Sequence, residues 1–150
     1  MQSERPASGR AFVDTNVLGY AHDARDPVKR EAAIALIDRL SADGSLVIST
    51  QVPNELCAIL LRGKSGTMAQ RVNLSGLIEE LEAIAEIVTL TPDTTREAAR
   101  GVCRYQLTWY DALIWAAAKS ARCSVLYTED YQSALEIEGV RYRNPFADAQ

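Results

Sequence analysis

The stretch Ala11-Phe12-Val13-Asp14-Thr15-Asn16 decides the fold: three apolar residues that read as a short buried strand stop abruptly at an acid. Working outward, Val28 to Leu40 places Ala32, Ala33, Leu36, Ile37 and Leu40 at helical spacing, and Asp43-Gly44 closes that helix before a second strand, Leu46-Val47-Ile48. Pro53 suits the first turn of the next helix, with Leu56, Ile59 and Leu60 on one face, and Gly63 and Gly66 end it. A further helix carries Leu74, Leu77, Ile78, Leu81, Ile84 and Ala85. Strand Ile87 to Leu90 follows, then a helix from Thr94 to Tyr105 and one from Trp109 to Ala121 that is apolar almost all round. Ser124 to Tyr127 reads as a fourth strand and Val140 to Tyr142 as a short fifth. Strands alternating with helices predict a single α/β domain whose mainly parallel sheet of four to five strands carries helices on both faces.

The 150 residues are enough for one domain. Apolar residues at 47% and charged residues at 24% are those of an average globular protein, which excludes disorder as the main state, collagen-like repeats and a disulfide scaffold. Residues 1–10 read as a disordered lead-in, 11–146 as the domain and 147–150 as a tail. The longest apolar run, Ala112 to Ala118, falls far short of the ~20 residues a bilayer needs, and no charged segment followed by an apolar one trails Met1. The expectation is a cytoplasmic protein with no membrane partner. A net charge of −4 counts against holding nucleic acid by phosphate neutralisation alone, but not against an enzyme that bridges an acidic site to phosphate through a cation. Cys57, Cys103 and Cys123 share no metal-ligand spacing and read as free, mostly buried thiols. The single histidine, His22, excludes zinc sites built on two or three histidines and reads as a surface or helix-end residue.

In sheets of this kind ligands bind beyond the carboxyl ends of the strands. Four carboxylates fall there. Asp14 follows the first strand, Glu55 lies one turn into the helix after the second, Asp111 opens the apolar helix, and Asp130 follows the fourth strand with Glu129 beside it. Each has an ordinary alternative. Asp14 could cap a turn, Glu55 could favour its helix dipole, Thr108 to Asp111 has capping-box spacing, and Asp130 could sit in a turn. Those alternatives do not explain the convergence, which is costly: two carboxylates ~6 Å apart repel by roughly 3 kcal/mol at an effective dielectric near 20. A hard cation relieves that cost. Mg²⁺ or Mn²⁺ fits an all-oxygen set, and carboxylate-held metals hydrolyse phosphodiesters.

Four motifs in this order resemble the PIN-domain ribonucleases, in particular the VapC-type toxins of bacterial toxin–antitoxin pairs. They are Phe12-Val13-Asp14-Thr15-Asn16-Val17-Leu18, Gln51-Val52-Pro53-Asn54-Glu55-Leu56, Trp109-Tyr110-Asp111 continuing to Ala118, and Tyr127-Thr128-Glu129-Asp130-Tyr131. The resemblance runs from residue 11 to Phe146, where Asn144-Pro145-Phe146 matches the usual ending. It implies an Mg²⁺- or Mn²⁺-dependent endoribonuclease with Asp14, Glu55, Asp111 and Asp130 as catalytic and metal-holding acids. Thr15 and Asn16 would support Asp14, and Thr128 would line the site. The implied partners are an RNA substrate, a cognate antitoxin that blocks the site, and a second copy of the chain. One departure is visible: a glycine common after the last acid is replaced by Tyr131-Gln132-Ser133-Ala134.

Arg96, Arg100 and Arg104 recur at i, i+4, i+8, a solvated helix face or an RNA-phosphate track. Trp109, at a helix start, is a candidate for stacking on bases, whereas Trp115 reads as core. Two other chemistries that use an acid after the first strand fit less well. An aspartyl-phosphate phosphatase needs a second Asp where Asn16 stands, and a phospho-receiver needs a late lysine after a strand, whereas Lys119 lies inside a helix. The alternative of a different class is a catalytically silent PIN-like module that binds RNA or a protein.

Overall fold

The computed structural model describes residues 9–62, 73–130 and 135–147. Its strands are β1 (Ala11–Val13), β2 (Leu46–Ser49), β3 (Glu86–Val88), β4 (Val125–Tyr127), β5 (Glu136–Ile137) and β6 (Val140–Arg143). Its helices are α1 (Thr15–Ala21), α2 (Pro27–Ala42), α3 (Gln51–Arg62), α4 (Leu74–Ile84), α5 (Pro92–Tyr105) and α6 (Trp109–Ser120). The strands form one sheet in the order β3-β2-β1-β4-β6-β5, parallel throughout except for the terminal β5–β6 pair. Chain order therefore runs outward from β1 to one side as β2 and β3, then returns to its other side as β4. The reversal lies between β1 and β4, where Val13 is in register with Tyr127.

The α/β reading holds, with one strand more than expected. β5 is two residues long and exists through its antiparallel partner, so it has no pattern of its own to read. The turn between β5 and β6 places Glu138 and Gly139 at φ 50° and 88°, the left-handed pair that two-residue hairpins require. α1 was also not foreseen. Thr15, Asn16 and Gly19 are poor helix formers, but Asp14 caps the first turn and Val17 and Leu18 are buried, so tertiary burial decides. α2 and α5 begin earlier than periodicity suggests, because caps lie outside the apolar stripe: Asp26 accepts from the Lys29 N–H at 3.1 Å, and Thr91 and Thr94 form a reciprocal box.

The core joins β1, β2 and β4 to α6, whose residues from Ala112 to Ala118 are all buried. Trp115 is fully enclosed and donates from Nε1 to the Ile137 carbonyl at 3.2 Å. Gly101 of α5 lies against that indole, and a Cβ there would come within 2.7 Å of the ring. All three cysteines are free; the expectation of mostly buried thiols fails at Cys103, which is exposed on α5, while Cys57 is half-buried and Cys123 buried. His22 is the exposed C-cap of α1. Among the described residues no helix is long and apolar enough to cross a membrane. Most of the lead-in, the Gly63–Gly66 stop, the Tyr131–Ala134 departure and residues 148–150 lie outside the described residues.

Candidate active site

The topological reversal between β1 and β4 builds the site. Asp14, just past β1, donates its backbone N–H to the Tyr127 carbonyl at 2.9 Å. Its carboxylate accepts from the Thr15 N–H at 2.7 Å and from the Thr128 hydroxyl at 2.9 Å. Asp14 is therefore a helix cap, as the ordinary reading had it, and a site carboxylate as well. Thr128 is the hub: beyond its donation to Asp14, its oxygen accepts from the Asp130 N–H at 3.2 Å and the Asn16 amide at 3.4 Å. One donor and two lone pairs are all used.

Asp111 reaches the same place from the first turn of α6. Its capping box does not form; the Thr108 hydroxyl donates to the Asp111 carboxylate at 2.6 Å and makes no cap bond. Carboxylate oxygens of Asp14, Asp111 and Asp130 lie within 4.8 Å of one another. Each such pair, when both carboxylates are ionised, repels by at least about 3.5 kcal/mol at an effective dielectric near 20. Glu55 is not in this tight group. It lines the wall of the same pocket, about 130 Å³ in volume, and accepts a hydrogen bond from the Gln51 amide one turn earlier.

Electrostatics follow from burial. Asp14 is 7% exposed. Desolvation raises its carboxyl from 3.8 to about 7 against the lowering effect of Thr128 and Thr15, and the charges of Asp130 and Asp111 push the same way as desolvation. Asp130 is also raised, by burial first and then by the charge of Asp111, while a hydrogen bond with Asn16 opposes. Three residues that line the pocket also carry a buried oxygen without a hydrogen-bond partner, namely Thr15 Oγ1, Asn16 Oδ1 and Gln51 Oε1. Converging carboxylates and unpartnered neutral oxygens are the donor set of a hard divalent cation. The residues present fit such an ion.

Glu129 turns away. Its carboxylate accepts from the Tyr20 hydroxyl and the Lys29 ammonium, both at 2.8 Å, and Lys29 lies over the rings of Tyr20 and Phe146. Gln51 and Tyr110 line the site but were not singled out in the sequence; the only signal for Gln51 is an amide four residues before Glu55. Trp109 and Tyr110 expose 42% and 66% of their surfaces at the start of α6. Of the arginine stripe on α5, Arg96 pairs with Asp93, Arg100 with Glu97 and Glu138, and Arg104 lies over the Tyr105 ring.

Several solved structures share this fold. A toxin from Mycobacterium tuberculosis, VapC20, described as cleaving the sarcin-ricin loop, is 20% identical with a TM-score of 0.61, covering 80% of this chain and 89% of that one. A toxin–antitoxin complex from Klebsiella pneumoniae is 19% identical with a TM-score of 0.66, covering 90% and 97%. VapBC2 from Rickettsia felis, bound to a DNA fragment from its promoter, is 19% identical with a TM-score of 0.62, covering 89% and 97%. At this identity the likeness is one of fold. No curated protein matches the chain. The family model described as the PIN domain matches residues 11–136, from β1 through the acidic edge to β5, and the chain belongs to the PIN-domain family.

Proposed function

We propose that this protein is an endoribonuclease dependent on Mg²⁺ or Mn²⁺, and that it is the toxin of a toxin–antitoxin pair. The observation that carries the reading is the convergence of Asp14, Asp111 and Asp130 within 4.8 Å, with Glu55 on the wall of the same pocket. When bound, a divalent cation offsets the charge of the carboxylates and of a phosphodiester, and makes water a stronger nucleophile at neutral pH. The chain's own residues hold the acids ready. Thr128 aims Asp14, Thr108 aims Asp111, Asn16 steadies Asp130, and Gln51 holds Glu55 while also donating to the Tyr110 carbonyl at 3.3 Å. Such fixed orientation is what separates a catalytic site from a patch of surface acid.

Trp109, exposed at the start of α6, suits stacking on an RNA base; of the α5 arginines, Arg96 and Arg100 are held by Asp93, Glu97 and Glu138, which leaves Arg104 for phosphate contact. The structural neighbours include a toxin described as cleaving the sarcin-ricin loop and a toxin–antitoxin complex. They support an antitoxin partner here; the homodimer and an antitoxin covering the acidic pocket are proposed from the family resemblance alone.

The test is cleavage of total cellular RNA by purified protein with Mn²⁺, with EDTA, and by Asp14→Asn with Mn²⁺. Discrete fragments made only by the unsubstituted protein with metal are expected. Thermal melting adds a readout independent of turnover: Mn²⁺ at a hundred times its Kd stabilises by about 2.7 kcal/mol, and Asp14→Asn should lose most of that. No cleavage, with equal Mn²⁺ shifts in both proteins, would place the metal elsewhere and favour a silent binding module.

A further inference from the structure

An open cleft of about 610 Å³ lies between α2 and β6, away from the acidic pocket and within the roughly 300–1,000 Å³ range of ligand clefts. Its rim carries Arg39 from α2 and Arg141 and Arg143 from β6; Leu36, Tyr127 and Pro145 contribute to its lining. On β6 the buried residues Val140 and Tyr142 alternate with exposed Arg141 and Arg143, so both arginines stand on one face of the strand. Arg39 crosses toward them and donates to the Tyr127 hydroxyl at 3.4 Å.

No Asp or Glu among the described residues lines this cleft, although the protein as a whole has a net charge of −4. Among the described residues neither Arg39 nor Arg143 pairs with a carboxylate. The contact of Arg141 with Glu136 is 3.8 Å long between side chains more than half exposed, which is worth little. Folding therefore does not account for three guanidiniums gathered around one cleft. An anionic ligand does, since planar guanidiniums bind phosphate oxygens in pairs.

The cleft is also tied to the acidic centre. β6 runs parallel to β4, so Arg143 and Asn144 emerge at the same carboxyl edge of the sheet as Thr128. The Arg143 carbonyl accepts from the Thr128 N–H at 2.9 Å, and the Thr128 hydroxyl holds Asp14. A chain of phosphates crossing the acidic pocket toward β6 meets these arginines next. We propose that the Arg39–Arg141–Arg143 cleft grips the phosphate backbone of single-stranded RNA to one side of the acidic pocket. The proposal rests on the ribonuclease reading for its substrate class.

The test measures binding of a short fluorescent single-stranded RNA of mixed sequence to the Asp14→Asn chain across a salt series, with and without Arg39→Gln plus Arg143→Gln. The double substitution should weaken binding about tenfold and reduce the slope of log affinity against log salt by about 0.7 per arginine. Arg122→Gln, at the opposite edge of the sheet, should change neither. Melting temperatures should stay together, since the replaced side chains are exposed, form no ion pair among the described residues, and lose only the long Arg39–Tyr127 hydrogen bond. Unchanged RNA affinity and slope in the double variant would overturn the proposal. So would a loss confined to a polyglutamate peptide, which would put an acidic protein segment in the cleft. Cleavage of the same RNA by the unsubstituted protein with Mn²⁺ is scored separately. If arginine-dependent binding persists where no cleavage occurs, the nuclease reading fails and the cleft stands.

Discussion

The Thr128 hydroxyl donates to Asp14 at 2.9 Å across the junction of β1 and β4, and the two residues stand 114 positions apart in the chain. Among the described residues, this is the one bond by which a side chain just past β4 aims the most buried acid of the site. Thr128→Val keeps the shape and removes the hydroxyl. RNA cleavage should fall at least tenfold, and stability by about 1–3 kcal/mol, because a buried carboxylate loses a donor and the Asp130 N–H loses an acceptor. Thr128→Ser should restore most of both. Wild-type cleavage by the valine variant would show that Asp14 needs no such alignment.

Asp14 should make the metal-free protein less stable as pH rises. Its carboxyl titrates near 7 in the folded protein against 3.8 when unfolded, so between those values the folded state holds the extra proton. Stability from this group is complete below about pH 4 and is lost as pH rises through about 7. Asp14→Asn escapes the loss. In EDTA its melting temperature should exceed that of the parent near pH 8, by on the order of 2–4 kcal/mol in stability, and converge with it near pH 4. A variant less stable at pH 8 would mean that capping of α1 outweighs burial of the charge.

The clamp at the β5–β6 turn should behave in the opposite sense. Glu138 is held at about 2 by Arg100 first and by Tyr105 and Lys119 as well, and Glu97 is held at about 2 by Arg100 and Lys119. For carboxyls lowered on folding, the contribution is present above their unfolded value of about 4.5 and lost as pH falls through about 2. Glu138→Gln should therefore lower the melting temperature at neutral pH, with the difference shrinking in acid. A difference that does not change with pH would assign the effect to the left-handed turn rather than to charge.

Gly101→Ala sets two effects against each other. Alanine favours a helix by about 1 kcal/mol over glycine. Against that, the added methyl would meet Trp115 at 2.7 and 2.9 Å, and the indole is fixed by its bond to Ile137 and by edge-on contact with Tyr105 at 5.8 Å. Overpacking of this kind costs about 1–3 kcal/mol. A net loss is expected in a chemical-denaturation midpoint; a gain would show that the ring yields freely.

How much of this was legible beforehand follows from which interactions are local. Asp14, Asp111 and Asp130 could be placed on one sheet edge because an acid at the end of a strand or the start of a helix is visible in the order of residues. Glu55 was placed on the same edge, but its distance from the three aspartates depends on the Gln51 amide. The direction of Glu129 depends on Tyr20 and Lys29, which reach it from α1 and α2. The basic cleft was hidden for the same reason: Arg39 is one exposed residue of a helix and Arg141 and Arg143 look like the solvent face of an edge strand until α2 and β6 are set side by side. α1 and β5 were missed because their conformation comes from burial and pairing rather than from propensity.

The position of β4 decides when the acidic pocket is assembled during synthesis. β1, β2 and β3 can pair as soon as they leave the ribosome, yet the second edge of β1 waits for β4, which is made only after α6. Until then Asp14 has no Thr128 to orient it and no Asp130 beside it. Closing that gap late is a matter of loop entropy and topology. A nascent chain stopped before β4 thus carries half of an acidic pocket, and the site is not assembled until Thr128 and Asp130 have been made.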